Sequence, residues 1–109
     1  MFKIVENPEL THTVGVLVPT DGGHREETMK VRYRVISDER ANSYDLQDSE
    51  GMKNFLRDVI VEITDLVGGD DKALSWSLDL REVILGLPYA RLALLRGYMS
   101  AVVKTRLGN

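Results

Sequence analysis

The second half of the chain carries a punctuated apolar pattern that limits the folds it can adopt. Over 52–66, apolar residues recur at the spacing of one helical face, and Gly68-Gly69 ends the pattern as glycine does at helix C-termini. A short apolar helix is predicted over about 78–85. Pro88 suits the first position of a last helix, which is predicted to run to about Arg106.

Residues that favour helix starts precede these segments. Ser37, followed by two acidic residues, predicts a short helix that runs to about Leu46. Polar residues over 47–50 predict the start of the next helix, and Ser77 predicts the start of the one after it. Together with the helix after Pro88, the sequence predicts four helices.

The first third of the chain is typical of strands. Thr13–Val18 is rich in β-branched residues, and Met29–Val35 alternates strictly between apolar and basic residues. Between them, the polar stretch 20–27 contains two glycines and predicts a loop, so the two strands form a hairpin. The predicted fold is α+β in a single domain over 1–109: a β-hairpin region over 1–36, then a helical region over 37–109.

Composition excludes several classes of protein. The chain has 109 residues, of which 43% are hydrophobic and 28% charged, as in ordinary globular domains. It has no cysteine, so disulfides, thiolate metal sites and cysteine nucleophiles are excluded. A net charge of −3 argues against a nucleic-acid partner. Since neither a signal peptide nor a membrane-spanning run is recognisable, we expect the chain to act in the cytoplasm.

The sequence yields no catalytic, cofactor-binding or metal-binding set. The two histidines, His12 and His24, could pair across the hairpin, but a metal site needs more ligands, and two exposed histidines are the simpler interpretation. Asp70-Asp71 lacks the spaced oxygen ligands of a calcium loop. Trp76, the single tryptophan, is interpreted as a core residue, with a partner anchor as the alternative.

Two groups of residues are candidates for partner binding. Lys30, Arg32 and Arg34 share one strand face, which is either a site for an acidic partner or nucleic acid, or simply the solvated face of the strand. The last helix has more apolar circumference than one core face requires. One side carries Leu92, Leu95, Met99, Val102 and Val103. The adjacent side carries Leu94, Tyr98 and Ala101, which either contact a partner or another copy, or are covered by the hairpin.

The order of these elements resembles a known family. The resemblance covers about 29–101 and is carried by Phe55–Ile63, the Gly68–Asp71 turn, Leu74–Ser77, Leu80–Leu85, Leu87–Leu94 and Tyr98–Ala101. This order is similar to that of the tail assembly chaperones of long-tailed bacteriophages. The resemblance implies a non-enzymatic protein that binds the tape measure protein and helps to recruit the tail tube protein in the host bacterial cytoplasm.

The same resemblance implies that the protein is absent from the mature virion. Copies spaced along a tape measure protein would also suit a homo-oligomer. Two alternatives remain open at this point. One is another small phage morphogenesis protein, for tail completion or head–tail joining. The other is a small DNA-binding regulator that uses Arg32, Arg34, Arg91 and Arg96.

Overall fold

The computed structural model describes residues 1–103, which form a three-stranded antiparallel sheet and four helices. In chain order, the elements are β1 (Glu9–Thr20), β2 (Gly23–Arg34), α1 (Asp38–Ala41), α2 (Ser49–Val59), β3 (Ile60–Thr64), α3 (Leu78–Leu85) and α4 (Pro88–Val103). The predicted α+β class and the N-terminal hairpin are confirmed. The sheet order is β1-β2-β3.

The hairpin is longer than the sequence predicts. β1 and β2 pair without interruption from Glu9 opposite Arg34 to Thr20 opposite Gly23, so the predicted polar loop is mostly strand. Only Asp21-Gly22 makes the turn, and Gly22 takes the left-handed conformation, with a φ of 95°, that favours glycine. The polar residues of 20–27 lie at the exposed end of the hairpin. They can pair with the opposite strand there while their side chains stay in solvent.

The third strand is the main correction to the sequence prediction. The helix predicted over 52–66 ends at Val59, and the chain continues directly as β3, which pairs with β2. Ile60 and Ile63 are both buried although they are three residues apart, a spacing that is typical of helices. A register shift makes this possible in a strand, because Tyr33 lies opposite Ile60 and Arg32 opposite Glu62, which leaves Val61 as the extra residue of a bulge.

The predicted helix starts are confirmed. The hydroxyls of Ser37 and Ser77 and the carboxylate of Asp48 each accept a hydrogen bond from a backbone N–H in the first turn of the following helix, at 3.0–3.2 Å. α3 ends before Gly86 and α4 begins at Pro88, both as predicted. α1 ends at Ala41, well before Leu46. The predicted end of α4 at Arg106 lies outside the described residues.

α4 packs closely on the inner face of the hairpin, and glycine is required at the crossing. A Cβ atom at Gly97 would lie 2.6 Å from the Tyr33 hydroxyl oxygen and 2.7 Å from a Val14 methyl. The Tyr33 hydroxyl donates a 2.8 Å hydrogen bond to the carbonyl of Leu94, and the Tyr98 hydroxyl accepts one from the Ile36 N–H at 3.2 Å. These bonds satisfy buried polar groups and hold α4 in one rotational setting on the sheet.

Polar contacts join the peripheral elements to this core. Asp58, near the end of α2, accepts hydrogen bonds from the Arg40 guanidinium of α1 and, at 2.8 Å, from the Tyr44 hydroxyl. Burial alone would raise the pKa of Asp58, but the hydrogen bonds from Arg40 and Tyr44 hold it below its ordinary value. Arg57 of α2 donates to both carboxylate oxygens of Glu82, at 2.6 and 3.0 Å, and so ties α2 to α3.

We expect Gly97→Ala to destabilise the fold by about 1–3 kcal/mol, because the added methyl group pushes α4 away from Tyr33 and Val14. Urea unfolding of the two proteins measures the difference. Gly69→Ala is the matched control, since a Cβ at Gly69 meets no atom within 4 Å, and its free energy of unfolding should change by less than about 0.5 kcal/mol. Equal effects of the two substitutions would contradict the close approach at Gly97.

Asp58→Asn should also destabilise the fold, in a pH-dependent way. A carboxyl whose pKa is lowered by folding stabilises the folded state above its unfolded pKa, and this contribution is lost as pH falls through the lowered value. The wild type should therefore exceed Asp58→Asn in stability at pH 7, and the gap should narrow below about pH 4. Urea unfolding at a series of pH values measures it. A gap that stays constant down to pH 2 would contradict the assignment.

Candidate partner-binding surface

The inner face of α4 is part of the core. Leu94 is fully buried, Tyr98 is 5% exposed, and Ala90, Ala93 and Gly97 are buried beside them. The ring of Tyr98 makes edge-to-face contacts with Tyr33 and with Phe55 of α2, with centroids 5.7 and 5.2 Å apart. Such aromatic contacts add to the energy of burial. The inner face is therefore committed to intramolecular packing.

The outer face of α4 is apolar as well, and it is exposed. We call it the outer seam; its members are Leu92, Leu95, Met99 and Val102. The exposed fractions are 41% for Leu92, 48% for Met99 and 45% for Val102, while Leu95 is partly buried against the core. Val103 lies beside the seam and is 72% exposed. Isolated exposed apolar side chains are common on proteins, but a contiguous row of them indicates an interaction surface.

The spacing of the outer seam is that of a helix-pairing surface. Its four members are separated by three, four and three residues, which is the spacing of the two apolar positions of a heptad repeat. Side chains at this spacing lie along one line of a helix and can interlock with a second helix placed beside it. At about 1.5 Å per residue, the seam extends for about 15 Å along α4, or nearly three turns.

The structure reverses the roles that the sequence suggested for the two sides of α4. Leu94, Tyr98 and Ala101 were candidates for partner contact, but the first two are buried under the hairpin and Ala101 is partly buried against the core. Leu94 and Tyr98 are therefore unavailable to a partner. The opposite side, with Leu92, Met99 and Val102, is the exposed one. The heptad spacing of Leu92, Leu95, Met99 and Val102 was the signal that could have identified it.

The second candidate group, the basic residues of β2, interacts mainly with other residues of the same chain. As predicted, Lys30, Arg32 and Arg34 lie on the opposite face of β2 from the buried Val31 and Tyr33. The Arg34 guanidinium donates a 2.7 Å hydrogen bond to the carbonyl of Asp58.

Arg32 is similarly engaged. Its guanidinium donates to the Glu9 carboxylate at 3.4 Å and to the Thr11 hydroxyl at 3.2 Å, and the residue opposite it on β3 is Glu62. Neighbouring carboxylates thus offset the charge of Arg32, and Lys30 is the exposed member of the group. The solvated-face interpretation accounts for these three residues.

The histidines do not form a pair. His12 lies opposite Val31 and His24 opposite Pro19, so about seven residue steps of strand, roughly 23 Å, separate them along the hairpin. Over residues 1–103, no group of three or more His, Asp or Glu side chains is arranged to hold a metal ion. Trp76 is partly buried against the core, as predicted. No helix within the same residues is long and apolar enough to cross a membrane.

A second apolar surface lies beside α3. A groove of about 660 Å³ separates the outer half of the hairpin from the turn after β3 and from α3, and its walls include Val67, Leu74, Val83 and Leu87. Its rim carries charges of both signs, with Arg25 paired to Glu27 at 2.7 Å. These apolar residues come from separate elements and form no periodic row. The outer seam is therefore the better defined surface.

No family model, curated protein sequence or solved structure matches the chain.

The two faces of α4 should respond differently to substitution. Leu94→Ala should lower the free energy of unfolding by about 2–5 kcal/mol, because it removes fully buried methyl groups. Met99→Gln should change it by less than about 0.5 kcal/mol, since glutamine favours helices and the site is exposed. Chemical denaturation of both variants measures the difference. A large loss for Met99→Gln with little for Leu94→Ala would mean that α4 is rotated from the orientation described.

Proposed function

We propose that this protein is a non-enzymatic tail assembly chaperone that binds the tape measure protein of a long-tailed phage. The observation that carries the proposal is the outer seam, an exposed apolar row at heptad spacing on a helix whose other side is locked into the core. A surface of this kind fits an amphipathic helix laid along it. The resemblance of the sequence to tail assembly chaperones supplies the identity of the partner.

The position of the seam suits this function. α4 is held by buried contacts and by the Tyr33–Leu94 hydrogen bond, so the seam is presented on a rigid element and needs no rearrangement to bind. A footprint of about 15 Å covers only a short part of a long helical client. Several copies could therefore coat one client and keep its apolar face from aggregating. In this proposal the protein acts in the host cytoplasm, helps to recruit the tail tube protein, and is absent from the finished virion.

The first alternative is a small morphogenesis protein for tail completion or head–tail joining, which would remain in the particle. Mass spectrometry of purified virions distinguishes the two, because a chaperone leaves the particle and a completion protein stays in stoichiometric amounts.

The second alternative is a DNA-binding regulator, and the arrangement of the arginines disfavours it. Arg32 and Arg34 lie on the sheet face opposite to the one that α4 covers, whereas Arg91 and Arg96 lie on α4. The four side chains therefore do not form one basic surface for a phosphate backbone.

Co-expression tests the proposal. The tape measure protein encoded nearest to this gene should be largely insoluble when expressed alone and should become soluble and co-purify when this protein is present. The double variant Leu92→Gln/Met99→Gln should lose this effect while keeping its own fold. Thr64→Gln at an exposed position on β3 serves as a control and should retain this effect. If wild type and double variant are equally effective, the seam is not the binding surface. If the wild type does not make the tape measure protein soluble, the chaperone proposal fails.

A further inference from the structure

Charge is distributed unevenly along the chain. Residues 1–87 contain every Asp and Glu, whereas residues 88–109 contain four basic residues and no acidic one. A protein with a net charge of −3 therefore carries its partner-binding helix on a segment that is purely basic in sequence. Such segregation is unnecessary for packing α4 onto the sheet, because the inner face of α4 is uncharged.

The two described basic residues of α4 flank the outer seam on opposite sides. In the heptad set by Leu92 and Leu95, Arg91 and Arg96 occupy the positions that border the apolar row, where pairing helices place the charges that select a partner. Arg96 is exposed, and none of the hydrogen bonds or ion pairs found within residues 1–103 involves its side chain. Arg91 uses one nitrogen to donate to the Leu85 carbonyl at 2.8 Å, and its guanidinium carries further donors.

We infer that the outer seam binds an amphipathic helix whose apolar row is bordered by glutamate or aspartate. This inference rests on the proposed function and specifies the partner chemistry of the same surface. Carboxylates placed beside the partner's apolar row would lie opposite Arg91 and Arg96. Ion pairs at these positions set partner choice and orientation, and apolar contact along Leu92 and Met99 contributes most of the affinity.

The same geometry disfavours a second copy of this chain as the occupant. If two α4 helices paired in parallel, Arg91 of one would face Arg96 of the other. If they paired antiparallel, each arginine would face its own counterpart. Both arrangements bring like charges together beside the apolar row, which is destabilising. A homo-oligomer built through this seam is therefore disfavoured, and the seam is left free for a different helix.

Two synthetic helical peptides of about four heptads test the inference. Both carry leucine at the apolar positions; one has glutamate and the other lysine at every bordering position. Fluorescence anisotropy with the full-length protein should show tighter binding of the glutamate peptide. This preference should decrease as sodium chloride rises from about 0.05 to about 0.5 M, because salt screens exposed charges. The double variant Leu92→Gln/Met99→Gln should bind neither peptide measurably.

Charge reversal provides the sharper arm of the experiment. Arg96→Glu should weaken binding of the glutamate peptide about fivefold at low salt and should strengthen binding of the lysine peptide. Lys72→Glu makes the same change in net charge on an exposed loop and is the matched control, which should leave both affinities unchanged. Equal affinity of the wild type for the two peptides, or an equal response to both substitutions, would overturn the inference.

The remaining outcomes are also decisive. Concentration-dependent dimerisation that the Leu92→Gln/Met99→Gln variant abolishes would make a second copy the occupant and overturn the inference. Binding of random duplex DNA that depends on Arg96 but not on Leu92 and Met99 would assign the basic helix to nucleic acid instead. If seam variants abolish solubilisation of the tape measure protein while the peptides show no charge preference, the chaperone proposal stands and the acidic partner is wrong. If the peptides show the charge preference while seam variants still solubilise the tape measure protein, the acidic partner stands and the tape measure protein is not the partner of the seam.

Discussion

The contact between α4 and the hairpin at Gly97 is the constraint on which the rest of the structure depends. With no side chain at this position, the helix approaches Val14 and the Tyr33 hydroxyl more closely than any other residue would allow. The Tyr33 hydroxyl then reaches the Leu94 carbonyl, and Tyr98 takes its place between Tyr33 and Phe55. These contacts set the rotation of α4 about its axis. Since α4 is apolar on both sides, that rotation alone decides which side faces water.

The direct change from α2 to β3 adds a third strand to the hairpin, and α2 itself contacts α4. Phe55 and Leu56 of α2 lie in the core. β3 follows α2 without an intervening loop and pairs with β2 as the third strand. Asp58 sits just before this change, where it binds Arg40 and Tyr44 through its carboxylate and Arg34 through its backbone carbonyl. The arginine that looked like a surface site in the sequence thus stabilises the junction between helix and strand.

Features encoded by neighbouring residues could be predicted from the sequence, and features set by long-range packing could not. Ser37, Asp48, Ser77 and Pro88 start helices through local hydrogen bonding and backbone geometry, so these predictions hold. β3 was missed because Val59, Ile63 and Leu66 continue the helical spacing, and only the bulge at Val61 allows Ile60 and Ile63 to be buried together in a strand.

The surface of α4 illustrates the same limit for function. Both sides of α4 are apolar, and the buried side is the one that packs against Val14 and Tyr33, which are distant in sequence. For Leu94 and Tyr98 the sequence leaves partner contact and cover by the hairpin open, and the structure shows both residues buried, so the exposed apolar surplus of α4 lies on its other side. Heptad spacing with bordering arginines is the sequence signal for the outer seam, and the burial of the other side of α4 leaves the seam as the exposed surface.

Because the chain has no cysteine, thiol labelling at single introduced cysteines tests the central claim most directly. Met99→Cys should label rapidly in the free protein and become strongly protected when the tape measure protein is bound. Thr64→Cys, at an exposed position on β3, should label at the same rate with and without it. Protection of position 64 with none at position 99 would contradict the account, because the client would then bind the sheet at β3 and not the outer seam.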